Sequence, residues 1–283
     1  MASAMLTAIE QAAHELRRAT ALLVTAGAGM GVDSGLPDFR GDEGFWKAYP
    51  PFRNLGLRFV ELANPRWFER DPELAWGFYG HRLALYRRTK PHRGFAILKR
   101  WAESMRDGAF VFTSNVDGQF QRAGFDPSRI HECHGALDRM QCMRRCGIEP
   151  FESDGYAPRI DEESCRAIGP LPSCPRCGAL ARPNVLLFGD WSWEPGPYDE
   201  QERRMDDWLA DLLDREARLV VVELGAGSHV PTVRTFSENV TKALKGKLVR
   251  INPRESEGPR GTISIAGGAL ESCAAIDAIL RTP

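Results

Sequence analysis

The sequence predicts an α/β fold, a parallel sheet wound with helices that carries a smaller lobe. Three observations predict it. Short apolar runs at residues 21–25, 109–113, 219–224 and 247–251 alternate with longer segments of helical character, the pattern of strands buried on both faces. The first and third runs end in glycine turns, Gly27-Ala28-Gly29 and Gly225-Ala226-Gly227, where backbone has to come close to another group. Cys142, Cys146, Cys174 and Cys177 form two close pairs around a polar stretch that needs a metal to fold.

Composition bounds the answer. A chain of 283 residues, 43% hydrophobic and 27% charged, can bury one large core, or one core with a small appended domain. The formal net charge of -1 provides no global field for nucleic acid or anionic lipid, which counts against a DNA-binding or membrane role. Residues 1–18 lack the order of a targeting signal and no apolar run is long enough to span a bilayer, so a cytoplasmic protein is expected. Seven cysteines without a secretion signal point to metal or free thiols, not to a disulfide framework.

Residues 5–18 read as an amphipathic helix packed on the strand 21–25. Strand, glycine turn and helix-compatible segment then begin a dinucleotide-binding unit, in which backbone N–H groups and a helix N-terminus hold a pyrophosphate. The plain alternative is a tight turn. Val32 stands where a G-x-G-x-x-G fingerprint requires its third glycine, which argues against a nicotinamide dehydrogenase. The same stretch continues to Ser34, Pro37, Asp38, Phe39 and Arg40, more functional side chains than a turn requires.

From residue 42 to about 100 the composition turns aromatic and basic, which predicts a flexible loop after Arg40 and then two or three helices forming an inserted lobe. Tyr79 and Arg82, three residues apart on a helix, project from one face and could clamp a carboxylate. A core tyrosine beside a surface arginine is the alternative.

The strand 109–113 runs into Ser114-Asn115-Val116-Asp117-Gly118. Open α/β sheets bind ligands at the carboxyl ends of their strands, so Asn115 and Asp117 are site candidates, with a turn or helix cap as the alternative. His134, immediately before Gly135, suits a general base that titrates near neutral pH, whereas His131 has no further support. The four paired cysteines supply one closed tetrahedral zinc site, with Cys165 as a spare. Residues 182–190 read as a strand returning to the main sheet and ending in the Gly189-Asp190 turn. A charged helix near 199–216 leads to the strand 219–224, whose glycine turn would cradle the far half of a dinucleotide. The strand 247–251 ends at Asn252, within reach of a ribose hydroxyl, and a small strand near 263–266 and a helix over 270–280 close the fold.

Taken together, these segments resemble the sirtuin family of NAD-dependent protein deacylases. The stretch from Gly27 to Arg40 is similar to that family's GAGxSxxSGIPDFR motif, and Thr113 to Asp117 to its TQNID. Cys133-His134-Gly135 resembles its LHG, and Val185 to Asp190 its VVWFGE. The paired cysteines resemble its zinc ribbon in place and spacing, and Gly225, Val230-Pro231 and Asn252 its later nucleotide and peptide loops. The likeness covers nearly the whole chain.

The resemblance implies a Rossmann-like NAD-binding domain of residues 1–41, 105–136 and 183–283, a helical insertion over 42–104 and a zinc ribbon over 137–182. It implies that Gly27, Ala28 and Gly29 hold the pyrophosphate, with Gly225, Gly227 and Asn252 serving the rest of the nucleotide. Asp38, Phe39 and Arg40 would lie near the nicotinamide ribose, and Ser114, Asn115 and Asp117 at the nicotinamide pocket. His134 is the implied general base. In the family's mechanism the acyl-lysine oxygen attacks the ribose C1′ and expels nicotinamide, and acyl transfer then yields free lysine and O-acyl-ADP-ribose. That chemistry needs a poor nucleophile held in a near-attack pose in a dry pocket. The acylated peptide would add as a strand along Phe188, Gly189 and Asp190 on one side and Val230 on the other. Tyr79 and Arg82 resemble a Tyr-x-x-Arg pair that recognises succinyl- or malonyl-lysine in some sirtuins.

The chain departs from the family pattern at Gly31 (serine in the motif), Ser114 (glutamine), Gln119-Phe120 (leucine-histidine) and Asp190 (glutamate), and Gly225-Ala226-Gly227 replaces a GTS turn. Two other readings therefore stand beside a deacylase: an ADP-ribosyltransferase or NAD hydrolase on the same fold, and a non-catalytic NAD-sensing or partner-binding module.

Overall fold

The computed structural model describes residues 2–37, 45–47, 49–54, 56–153, 155–161 and 163–282, with side chains from residue 5 onward. Its strands, in chain order, are β1 (Ala21–Ala26), β2 (Ala109–Thr113), β3 (Ile130–Glu132), β4 (Gly135–Cys142), β5 (Phe151–Glu152), β6 (Arg159–Asp161), β7 (Arg166–Ile168), β8 (Ala181–Val185), β9 (Leu219–Leu224), β10 (Lys247–Ile251) and β11 (Ile263–Ile265). The longer helices are α1 (Ala2–Arg18), α2 (Pro72–Arg88), α3 (Arg93–Glu103), α4 (Pro197–Asp214), α5 (Thr232–Ala243) and α6 (Ala269–Arg281). No described helix is long and apolar enough to cross a membrane.

The main sheet runs β11-β10-β9-β1-β2-β3 and every pairing in it is parallel. Leu22, Val24, Val111 and Val222 face α1, α3 and α6, while Leu23, Phe110 and Val221 face α4 and α5. Helices on both faces explain why the strands read as continuous apolar runs and not as an alternating pattern.

The register levels the ends of the strands. Ala26 stands opposite Thr113 and Leu224, Thr113 opposite Glu132, and Leu224 opposite Ile251. Gly27, Ser114, Cys133, Gly225 and Asn252 are therefore the first residues past the strands, in one row along the carboxyl edge.

Two segments differ from the sequence expectation. Residues 181–185 do not return to the main sheet: β8 pairs antiparallel with β4 in a small sheet of order β5-β4-β8. Pro183 has no N–H to give a ladder, and β8 is an edge strand where that loss is tolerated. Helix α3, expected in the insertion, packs Phe95, Ile97, Leu98 and Trp101 into the main-sheet core.

The small lobe is organised around α2. Asp71 caps the helix by accepting from the Leu74 N–H at 3.2 Å, and the same carboxylate takes a bidentate pair from Arg166 at 2.9 and 2.6 Å. That pair pins the helix N-terminus to the β6–β7 hairpin, which the sequence reading did not anticipate. Gly77 makes the approach possible, since a Cβ there would lie 1.8 Å from the Cys165 carbonyl oxygen. Trp76, almost wholly buried, donates from Nε1 to the Ala181 carbonyl at 3.0 Å and so ties α2 to β8.

Candidate active site

The row of strand ends is cross-braced by its own polar groups. Thr113 Oγ1 donates to the Ala26 carbonyl at 3.0 Å and accepts from the Asn115 N–H at 3.0 Å, and Asn115 Nδ2 donates to the Gly27 carbonyl at 3.0 Å. Asn115 thus latches the loop after β2 onto the first glycine turn. That turn leads into a 3₁₀ helix, Ala28–Ser34, which Gly35 ends at φ 86°.

The two glycine turns abut. Gly29 donates to the Gly225 carbonyl at 3.0 Å, and a Cβ on Gly27 would lie 2.8 Å from Ala226 Cα. These glycines are required first by each other: the N–H of Gly27 goes to the Leu224 carbonyl and that of Gly225 to the Ile251 carbonyl, each at 3.0 Å, so the turns are closed onto the sheet and onto one another.

Asp117 sits behind this turn. Its Oδ1 accepts from the Gln119 N–H at 2.9 Å, and Oδ2 lies 3.7 Å from where a Cβ of Gly31 would stand. Burial pushes its carboxyl above the usual carboxylate range, against the Gln119 hydrogen bond and the charges of Arg122 and Arg82. His134 is half-buried beside Ser114. Burial holds its imidazole below the ordinary histidine value, opposed by its hydrogen bond to the Ser114 backbone. His131, two residues earlier, is 5% exposed, its Nδ1 has no partner among the described residues, and burial takes it down to about 4. Of the two histidines, His134 alone stands at the row.

Other expected residues are placed differently. Asn252 is fully buried: Nδ2 donates to the Ala226 carbonyl at 2.8 Å, and Oδ1 accepts from the Arg254 and Glu255 N–H groups, each at 3.0 Å. It clamps the second glycine turn and does not present its amide to a ribose. Asp190 is turned inward, where Oδ2 takes a buried ion pair from Arg182 at 2.7 Å and Oδ1 accepts from Ser192. It shapes its loop from within. A Cβ on Gly227 would meet Glu255 at 3.4 Å, and Glu255 also accepts from Ser228 Oγ at 2.5 Å. Asp38, Phe39 and Arg40, and the loop expected after them, lie outside the described residues.

The segment 186–190 bridges the site to the small lobe. Leu186 donates to the His134 carbonyl at 3.0 Å and Phe188 to the Ala63 carbonyl at 2.9 Å, while Gly189 turns at φ 69°. Phe188 is exposed, as is Val230 in the loop before α5. Tyr79 and Arg82 are both buried on α2. Arg82 donates to Tyr86 Oη at 3.1 and 2.7 Å and its charge acts on Asp117, whereas Tyr79 is close enough to Asp190 for that carboxylate to act on it. Burial raises the Tyr79 phenol to about 12, and its Oη has no hydrogen-bond partner among the described residues.

At the far end of the small sheet the Sγ atoms of Cys142, Cys146, Cys174 and Cys177 all lie within 4.8 Å of one another. Cys142–Cys177 and Cys146–Cys174 are each 3.6 Å apart, close to the edge of about 3.8 Å that four thiolates around one zinc describe. The set fits a closed structural zinc. Cys165 is elsewhere, against α2.

A Sir2 family model matches residues 27–202 of the chain. Its relatives include NAD-dependent protein deacylases of Thermococcus kodakarensis, 33% identical over 92% of this chain and 91% of that protein, and of Aquifex aeolicus, 31% identical over 83% and 84%. This chain belongs to the Sir2 family. A solved Sir2 homologue in complex with NAD matches 96% of this chain and 93% of its own at 29% identity, with a TM-score of 0.71. As a Sir2 protein the chain shows the family's Rossmann-like sheet and four-cysteine ribbon, and the row of strand ends is the conspicuous polar feature of its large domain.

His92 was not singled out in the sequence. Its Nε2 bonds the Met30 carbonyl at 3.0 Å, its N–H donates to Ser34 Oγ at 3.0 Å, and its Nδ1 accepts from the Gly94 N–H. It braces the 3₁₀ helix while capping α3, and the Pro91-His92 pair just before a helix was the available signal.

Proposed function

We propose that this Sir2 protein is an NAD-dependent protein-lysine deacylase that releases nicotinamide and O-acyl-ADP-ribose. The observation that carries the reading is the placement of His134, its ring held on the Ser114 backbone, in the same row as Asn115 and the two abutting glycine turns. The naming of its relatives as NAD-dependent protein deacylases supports it.

In this reading the turn at Gly27, Ala28 and Gly29 receives the pyrophosphate and the turn at Gly225 and Gly227 the far half of the dinucleotide, the missing side chains letting the ligand come close to the backbone. Bound NAD supplies an electrophilic ribose carbon and a nicotinamide leaving group. Asn115 and Asp117 hold the nicotinamide amide, and the burial that raises the Asp117 carboxyl favours the neutral form, which can donate to an amide oxygen. Asp38, Phe39 and Arg40 form the ribose-side wall on the strength of their motif. His134, neutral at pH 7 and with one ring nitrogen committed to Ser114, takes a hydroxyl proton on the other. The acylated peptide adds as a strand between Phe188-Gly189-Asp190 and Val230, with the Arg182–Asp190 pair keeping the first of these rigid.

Tyr79 and Arg82 make acidic acyl groups, succinyl or malonyl, the preferred cargo. A buried phenol without a partner and a buried guanidinium already aligned on α2 are the donors a carboxylate requires.

The test is to incubate the protein with NAD and acetyl-, succinyl- or malonyl-lysine peptides and follow products by mass spectrometry. Deacylated peptide with O-acyl-ADP-ribose is expected. Nicotinamide and ADP-ribose formed without peptide would replace this reading by NAD hydrolysis, and NAD binding without nicotinamide release by a sensor.

A further inference from the structure

On the α4/α5 face of the main sheet lies a cavity of ≈ 510 Å³. None of Gly27, Asn115, Asp117, His134 or Gly225 lines it. Its floor is aromatic, with Phe112 stacked on Phe236 at 3.8 Å, and Trp193 also lines it.

The charges of α4 are sorted by face. Away from the cavity Glu200 pairs with Arg203 and Arg204, Asp207 with Arg203, and Asp211 with Arg215. Asp199, Glu202 and Asp206 fall at i, i+3 and i+7, all line the cavity, and none is in an ion pair among the described residues. No lysine or arginine lines the space with them. Three carboxylates of one sign around a concave, partly apolar wall set up a field that draws in a cation.

A second, independent feature also points to a ligand. His131 lines the cavity at 5% exposure, edge-on to Phe112, and its Nδ1 has no partner, an unsatisfied buried polar atom that natural folds rarely leave. Both segments assigned to the acyl-peptide groove run directly into the same space. Trp193 follows the Gly189-Asp190 turn, and Pro231 and Thr232 follow Val230.

We propose that this cavity is a side subsite of the peptide groove, taking a lysine or arginine side chain a few residues from the acyl-lysine. The alkyl stem lies on the Phe112–Phe236 pair, and the cationic head meets Asp199, Glu202 and Asp206 with the unpartnered His131 nitrogen as a further acceptor. The assignment rests on the deacylase reading, because only a peptide bound between Gly189-Asp190 and Val230 would reach the cavity from the groove.

The experiment compares acetyl-lysine peptides identical except for one flanking position, carrying arginine, glutamine or glutamate, by kcat/KM with NAD and by fluorescence anisotropy of labelled peptide on His134→Ala protein. The arginine peptide should win at one flanking position by about fivefold, the upper size of an exposed charge pair, and lose that lead in high salt. Glu202→Gln with Asp206→Asn should bring the arginine-to-glutamine ratio to about one, and Glu202→Lys should turn the preference toward glutamate. These acids are exposed, so the substitutions leave the core intact. No arginine preference at any position, or a preference unchanged in the double variant, would overturn the subsite. A preference seen in anisotropy with no turnover by the native protein would keep the subsite and sink the deacylase reading.

Discussion

Gly225 rests its Cα on the backbone of Met30: a Cβ there would lie 2.3 Å from the Met30 nitrogen, and the residue holds φ at 63°. Two turns that begin 198 positions apart in the chain are thereby locked as one edge, since Gly29 also donates to the Gly225 carbonyl. Gly225→Ala is expected to cost about 2 to 4 kcal/mol, left-handed strain plus overpacking against immovable backbone, and to weaken NAD binding. Urea denaturation and a cofactor titration would check it, and an alanine variant of native stability would contradict the abutment.

His134→Ala should lower acyl transfer by about a hundredfold or more, the usual worth of a general base, while the protein keeps its fold because the ring is only half-buried. In the native protein the rate should fall as acid charges the imidazole. Since burial sets that midpoint below the ordinary histidine value, the rate should be flat through pH 7 and decline only on the acid side of 6.5. A pH–rate profile that bends above 6.5 would exclude His134 as the base.

Arg82→Met should cost desuccinylase activity at least about tenfold more than deacetylase activity, because a carboxylate then loses a charged hydrogen bond that an acetyl group never makes. Competition kinetics on paired peptides reads this directly. Equal losses on both would remove Tyr79 and Arg82 from substrate recognition and leave them as core.

One zinc per chain is expected by metal analysis, lost in Cys142→Ser and retained in Cys165→Ser. Chelation should unfold the ribbon and loosen α2, which the Arg166–Asp71 pair ties to the insert. A chelated protein with unchanged melting behaviour would argue against a structural metal.

His131 and Glu132 should tilt stability against pH in opposite senses. His131 titrates at about 4 when folded and 6.5 when unfolded, so between these values the unfolded chain binds more protons and stability falls as pH falls. Burial raises Glu132 from 4.5 to about 7, so the folded chain holds more protons there and stability falls as pH rises. Each limb is worth about 3 kcal/mol at full extent. Denaturation of His131→Gln should lose the first dependence and Glu132→Gln the second, and parallel curves for wild type and variants would refute both.

The chain's strands and its cysteine ligands were legible because they are local or compositional. An apolar run followed by glycine is the same signal wherever it occurs, and four thiols at knuckle spacing point to a metal without reference to the rest of the fold. Residues 182–190 read as a main-sheet strand because the apolar run Val185-Leu186-Leu187-Phe188 lies in them, whereas the strand that forms, Ala181–Val185, carries Arg182, Pro183 and Asn184 and is assigned only by its pairing with β4. The β6–β7 hairpin was missed for a related reason: its apolar surface is supplied by α2, through the gaps left at Gly77 and Gly80. Two glycines three apart on a helix were the trace of that contact.

By itself the sequence determined the residue types at the carboxyl edge and their order: glycines after β1 and β9, Ser114 to Asp117 after β2, His134 after β3. The tertiary structure decided what each does. A side chain's partners depend on parallel register, which levels Gly27, Ser114, Cys133, Gly225 and Asn252 and so brings residues far apart in the chain within hydrogen-bond reach. That is why Asn115 becomes a latch on Gly27 and Asn252 a clamp on Ala226, although both are asparagines that follow a strand. Burial, which also exists only once the chain has closed, separates His131 from His134 and raises Asp117 above an ordinary carboxylate.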